Sequence, residues 1–329
     1  MSASHSVPHM LDHPVAGVQA WLRADIRRDD WFLPLPPECL AELRTVARAL
    51  RARPRAVEQI DPAQFALDAC RDFMRRVRTV LDDGVRFAVV DRLPMDEVGD
   101  EAAKALYWIL SSFIARPVQQ KLTGTLIYDV RDTGQKATPG SGVRPDQTNM
   151  EQFFHNDNAY NTTPPEYVAL LCARPAKRGG VSQLISFYAL HNALLRDHRQ
   201  VIPRLYQPFW FDRQREYLPG EPAVISAPIF AYDGRLQVRL SLFQAKSGYT
   251  MMNEPMDDAG VTAIDTLTRL FADDALRVEF VMERGQMQFV NNRETCHRRT
   301  VFEDFAAPAQ KRLMVRLWLR DAGDVRYQG

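Results

Sequence analysis

The chain has 329 residues with 42 Lys+Arg against 41 Asp+Glu, so its formal charge is +1 and a polyanion such as nucleic acid is not an expected partner. With 46% hydrophobic and 25% charged residues the composition is that of a globular protein, which excludes disorder of the whole chain. No basic leader followed by an apolar run is present, and no stretch of about 18 apolar residues occurs, so the expectation is a cytoplasmic protein without a membrane partner.

The first third reads as helical. Pro36-Pro37 opens a segment in which Leu40, Leu43, Val46 and Leu50 fall on one helix face. Asp61 as N-cap and Pro62 at the first helical position announce a second helix, whose stripe of Phe65, Ala69, Phe73, Val77 and Val80 ends at Asp82-Asp83-Gly84. A strand is expected over 85–90 and a third helix over 102–114, before Pro117. Cys39, Cys70, Cys172 and Cys296 are scattered and form no C-x-x-C pair, so buried thiols are expected rather than disulfides or zinc.

From about residue 122 the pattern changes to short β-rich runs at 126–130, 167–172, 181–185, 228–231 and 235–240, with Asp233-Gly234 marking a hairpin. After a helix over 260–271 come further runs at 278–281, 286–291 and 312–319. The expected fold is therefore mainly β with flanking helices: a double-stranded β-helix, or jelly roll, behind a helical N-terminal part (1–121), all in one catalytic domain. Two Gly-, Pro- and charge-rich insertions, 131–148 and 211–226, have the composition of lids. The aromatic cluster Tyr206, Phe209, Trp210 and Phe211 reads chiefly as core.

The chemistry concentrates at His155-Asn156-Asp157. Residues i and i+2 of a strand share a face, so the imidazole and the carboxylate can grip one ion. Such a pair recurs by chance and needs a third ligand, for which His297, in the run 289–297, is the candidate. Two histidines and one carboxylate suit Fe(II), because they leave three adjacent coordination positions open. Asn149, Asn158 and Tyr160 lie beside these ligands in sequence; Arg213 and Arg215 lie in the second insertion and Arg239 on the hairpin. These six are the candidate substrate contacts, and their cations favour a small molecule carrying an anionic group.

The segment from His155 to Val168, with Gly179-Gly180-Val181-Ser182, Asn292-Arg293 before His297, and Arg312-Leu-Met-Val-Arg316, resembles the TauD/TfdA (taurine dioxygenase) family of Fe(II)/2-oxoglutarate-dependent oxygenases, with their clavaminate synthase-like relatives. The resemblance covers residues 155 to 316. It implies that His155, Asp157 and His297 are catalytic iron ligands, that Arg312 and Ser182 hold the distal carboxylate of 2-oxoglutarate, and that Arg316 meets either the co-substrate or the substrate. Ser182 stands where the family more often has Thr, which keeps the hydroxyl donor. The implied activity is hydroxylation, or another oxidation, of a C–H bond in a small metabolite, amino acid or natural-product intermediate, with O2 consumed and succinate and CO2 released. An intact carboxylate at Asp157 argues against halogenation, and family members are often homo-oligomers. The competing expectations are a metal-binding jelly roll with non-oxidative chemistry and a ligand sensor without turnover; neither requires a dicarboxylate clamp.

Overall fold

The computed structural model describes residues 9–136 and 143–327. Among these, a seven-stranded sheet has the order Phe32–Pro34, Phe87–Asp91, Met287–Asn291, Tyr167–Arg174, Leu313–Arg320, Arg116–Val118, with Ile127–Val130 also paired to Leu313–Arg320. A four-stranded sheet has the order Arg277–Phe280, Ser182–Ser186, Thr295–Arg299, Gln152–His155. Pairing is antiparallel in both except between Phe32–Pro34 and Phe87–Asp91.

Alternation along the last long strand explains how the layers stack. Leu313, Val315, Leu317 and Leu319 pack outward into the largest apolar cluster, against helices Pro37–Ala52, Asp68–Asp82 and Asp100–Ser112. Each such leucine contributes about 1.5–3 kcal/mol by leaving water. The alternate residues Arg312, Met314, Arg316 and Trp318 face the other way, so this strand is buried on both faces and still carries charge inward. Between the sheets, Phe87 and Val290 of the large one meet Leu184 and Val278 of the small one.

The helical expectations hold at 37–52, and at 100–112 against the expected 102–114. The Asp61 cap is real, accepting from Ala63 N at 2.9 Å, but it closes only the 3-10 turn Pro62–Gln64. The α-helix starts later, at Asp68, where the Glu42 carboxylate of the preceding helix accepts from Ala69 N and Cys70 N at 3.0 and 2.9 Å. A tertiary carboxylate thus performs the capping.

Asp233-Gly234 does turn a hairpin, Phe230–Tyr232 with Leu236–Val238. The helix Leu242–Met252 has no sequence expectation because its apolar residues form no stripe. It is fixed by Gly248, where a Cβ would come within 2.5 Å of the Trp210 carbonyl oxygen. Tyr206, Phe209 and Phe211 belong to the second core cluster. All four cysteines are buried free thiols, with Cys39 and Cys70 in contact at 2.8 Å between helices. Among the described residues no helix is long and apolar enough to cross a membrane.

Candidate active site

His155 ends the strand Gln152–His155 and pairs in register with His297 on the neighbouring strand, so both rings project from the same face. Their ring centroids are 4.4 Å apart. Asp157 is no longer on the strand. It sits in the following turn, where Asn158 takes a φ of 57°, a left-handed conformation that asparagine tolerates. The carboxylate is brought to the imidazoles by that turn rather than by strand alternation.

Two amides brace the turn. Asn292 Oδ1 accepts from Asp157 N at 2.9 Å, and Asn292 Nδ2 donates to the carbonyls of Asp157 and Pro165, each at 3.0 Å. Asn156 Oδ1 accepts from Leu240 N at 2.9 Å, while its Nδ2 donates to the carbonyls of Asn292 and Thr295. Asn156, between His155 and Asp157, therefore ties their turn to the strand that carries His297.

Asp157 Oδ1 lies 3.3 Å from His155 Nε2 and 3.6 Å from His297 Nε2. One ligand atom from each of the three residues falls within 4.8 Å of the others, the only such His/Cys/Asp/Glu group among the described residues. The Nδ1 of His155 is 2.8 Å from the Phe153 carbonyl, which keeps the proton there and leaves Nε2 as a lone-pair donor. Gln152 Nε2 lies 2.9 Å from that same Nε2. Burial would raise the Asp157 pKa, yet Arg316 and the two imidazoles hold it well below the ordinary carboxylate range. For His297, burial and then His155 push the pKa below the ordinary histidine value, outweighing Asp157. An anionic carboxylate between two imidazoles, that of His297 held neutral, fits a divalent, Fe(II)-type ion.

Arg312 borders a crevice with Gly179, Gly180 and Ser182. Its Nη1 is buried without a hydrogen-bond partner, and burial pulls its pKa down to about 10. A Cβ on Gly180, whose φ is +65°, would come to 3.4 Å from Arg312 Nε, so glycine keeps the guanidinium's flank clear. A buried cation short of one acceptor, beside a serine, fits a carboxylate such as that of 2-oxoglutarate. Arg316 differs: its Nε donates to Gln120 Oε1 at 2.8 Å, Nη1 is 3.2 Å from Asp157 Oδ2, and Nη2 is 3.3 Å from Asp146 Oδ2.

The six candidate substrate contacts fall in different surroundings. Asn149 is exposed. Asn158 is buried, donating to the Thr163 carbonyl and accepting from the Tyr327 hydroxyl at 2.9 Å. Tyr160 is buried, and burial raises its pKa. Arg213 is buried, with its donors on Asn161 Oδ1, the Pro222 and Glu216 carbonyls and Glu221. Arg239 donates to the carbonyls of Ala159, Asn161 and Thr162, clamping the segment after the Asp157 turn. Arg215 is exposed, with a φ of 61°.

Of the two expected lids, residues 137–142 of the first lie outside the described residues. Its end is tied down by Arg299, which donates to the carbonyls of Pro145, Thr148 and Met150. The second spans the hairpin Pro208–Asp212 with Val224–Pro228, and an Arg144–Glu216 ion pair joins the two insertions.

Sequence reasoning passed over Trp318, Asp146, Gln120 and Asn156. Trp318 had a signal, since it is two positions from Arg316 on an alternating strand; its Nε1 donates to Asp157 Oδ2 at 2.6 Å. Asp146 and Gln120 had none, because they come from irregular segments remote in sequence.

The family model described as Taurine catabolism dioxygenase TauD, TfdA family matches residues 47–318. The chain is 25% identical over 315 residues to FR-33289 synthase of Streptomyces rubellomurinus (strain ATCC 31215), covering 94% of this chain and 91% of that protein. A taurine hydroxylase-like protein, SAT17, of Stachybotrys chartarum (strain CBS 109288 / IBT 7711) is 27% identical over 168 residues, 50% of this chain and 41% of its own length. Among solved structures, asparagine oxygenase in complex with Fe(II), 2S,3S-3-hydroxyasparagine and succinate superposes with a TM-score of 0.67 at 20% identity, covering 88% of this chain and 93% of that one. The non-heme iron oxygenase OrfP in complex with Fe and alpha-ketoglutaric acid gives 0.64 at 15% identity, covering 88% and 94%.

Proposed function

The chain belongs to the TauD, TfdA family of taurine catabolism dioxygenases and is an Fe(II)- and 2-oxoglutarate-dependent oxygenase; on that premise we propose the residue roles and substrate class that follow. His155, Asp157 and His297 hold the iron, and Arg312 with Ser182 seats the distal carboxylate of 2-oxoglutarate. The observation that carries this reading is the meeting of three ligand atoms within 4.8 Å, next to a sheet face on which Arg312 Nη1 is left without an acceptor. When bound, Fe(II) with 2-oxoglutarate and O2 supplies the oxidation, the co-substrate leaving as succinate and CO2 while a substrate C–H bond is hydroxylated.

The protein's own part is to hold and orient. His155 keeps its proton on Nδ1 through the Phe153 carbonyl, Asn156 and Asn292 fix the ligand turn, and the guanidinium of Arg312 offers paired N–H donors to one end of a dicarboxylate. Neither a non-oxidative metal protein nor a sensor calls for that second, cationic subsite.

The substrate in this reading is a free amino acid or an amino-acid-like natural-product intermediate. Support comes from the synthase relative aligned over nearly the whole chain and from fold neighbours holding hydroxylated asparagine and arginine. With the donors of Arg213 and Arg239 engaged within the protein, Arg215 is the one of these three candidate cations that remains exposed. The two facing sheets are read as the double-stranded β-helix. The largest apolar cluster runs from the N-terminal helices into the large sheet, which supports a single catalytic unit.

The test is succinate release from 2-oxoglutarate in air with added Fe(II), across a panel of L-amino acids and their N- and C-modified derivatives. Substrate-stimulated succinate release that disappears in His297→Ala is the expected result. No release above background with any member, although the protein binds Fe(II), would refute the oxygenase reading of these residues.

A further inference from the structure

Asp157 Oδ2 accepts from Trp318 Nε1 at 2.6 Å and is ion-paired with Arg316 Nη1 at 3.2 Å, while Oδ1 faces the imidazoles. A carboxylate held this way on one oxygen presents only the other to an ion, and its rotation is blocked. Trp318 is nearly inaccessible and Arg316 is buried, so neither donor is offered to solvent instead. Arg316 is itself immobilised. Gln120 receives its Nε and donates back to the Arg316 carbonyl at 2.8 Å, Asp146 faces Nη2, and the guanidinium lies 5.3 and 5.2 Å from the ring centroids of Tyr128 and Trp318. Burial works against its charge, but Asp157 and Asp146 outweigh it and hold the pKa above the ordinary arginine value.

Three sides of this guanidinium thus face protein partners, Gln120 at Nε, Asp157 at Nη1 and Asp146 at Nη2. We infer that Trp318 and Arg316 are positioning residues that make Asp157 a one-oxygen metal ligand, and that Asp146, on the turn Pro145–Gln147, holds Arg316 to that task. The inference rests on the metal reading above. It also joins the first insertion to the metal centre, because Arg299 anchors the turn that carries Asp146.

The test uses the full chain, metal-free, titrated anaerobically with Co(II) and followed by calorimetry and by the visible Co(II) spectrum. Trp318→Phe keeps an aromatic ring but loses the N–H; its Co(II) dissociation constant is expected to rise roughly 10–100-fold, with an altered spectrum. Asp146→Asn, remote from the metal, is expected to weaken Co(II) in the same direction by less, and Asp146→Glu to restore part of the loss. Should Trp318→Phe fail to fold, the Asp146 pair decides alone. Wild-type affinity and spectrum in the folded variants would overturn the inference. His297→Ala separates the two ideas: if it binds Co(II) like wild type, the metal reading itself fails, whereas loss there with unchanged Trp318→Phe and Asp146→Asn removes only the positioning roles.

Discussion

Arg312 and Arg316 leave the same inward face of the last long strand four positions apart, and both are buried. Burial disfavours the charge of each. Arg316 recovers through Asp157 and Asp146 and sits above its ordinary pKa, whereas Arg312, with one nitrogen unpartnered and with Cys172 and Asp304 not offsetting burial, is drawn down to about 10. A buried cation paired with carboxylates inside the protein serves the architecture, and one left short of an acceptor suits a ligand. On the proposed reading the two arginines do different work despite their shared face.

That contrast can be broken by substitution. Arg312→Ala should weaken 2-oxoglutarate binding by about 1.5–3 kcal/mol, the range for a lost hydrogen bond to a charged group, with Fe(II) affinity little changed. Equal loss of metal binding would mean the two arginines are not separable. Arg316→Lys should do the reverse: a point charge cannot meet Gln120, Asp157 and Asp146 together, so about 1–2 kcal/mol of metal affinity goes while 2-oxoglutarate titrates normally at saturating metal.

Smaller effects sharpen the picture. Ser182→Ala should cost about 1 kcal/mol in 2-oxoglutarate affinity by removing one hydroxyl donor, and Ser182→Thr should leave the binding isotherm near wild type. Gly180→Ala, at a φ of +65°, should lower stability by about 1 kcal/mol in thermal unfolding, and 2-oxoglutarate should bind this variant less tightly because the new methyl meets Arg312 Nε.

What could be read from the sequence follows from locality. The His155–Asp157 and Arg312–Arg316 spacings each lie within a short segment, and the four-residue spacing puts Arg312 and Arg316 on one side of the chain. Even so, Asp157 reaches the imidazoles through a turn braced by Asn292, not by alternation, because a partner remote in sequence supplies the hydrogen bonds. The same cause hid the Glu42 cap at Asp68 and the Asp146 and Gln120 contacts to Arg316. Arg213 and Arg239 looked available in the sequence because side-chain type says nothing of which loop carbonyls will fold around it. In the structure those carbonyls take up their donors.

The most direct test of the whole account is anaerobic addition of Fe(II) and 2-oxoglutarate to the wild-type chain and to His297→Ala, recorded in the visible region. The wild type should develop the charge-transfer absorption of an iron-bound 2-keto acid, and His297→Ala should show none. An identical absorption in His297→Ala would contradict the claim that His155, Asp157 and His297 share one metal ion.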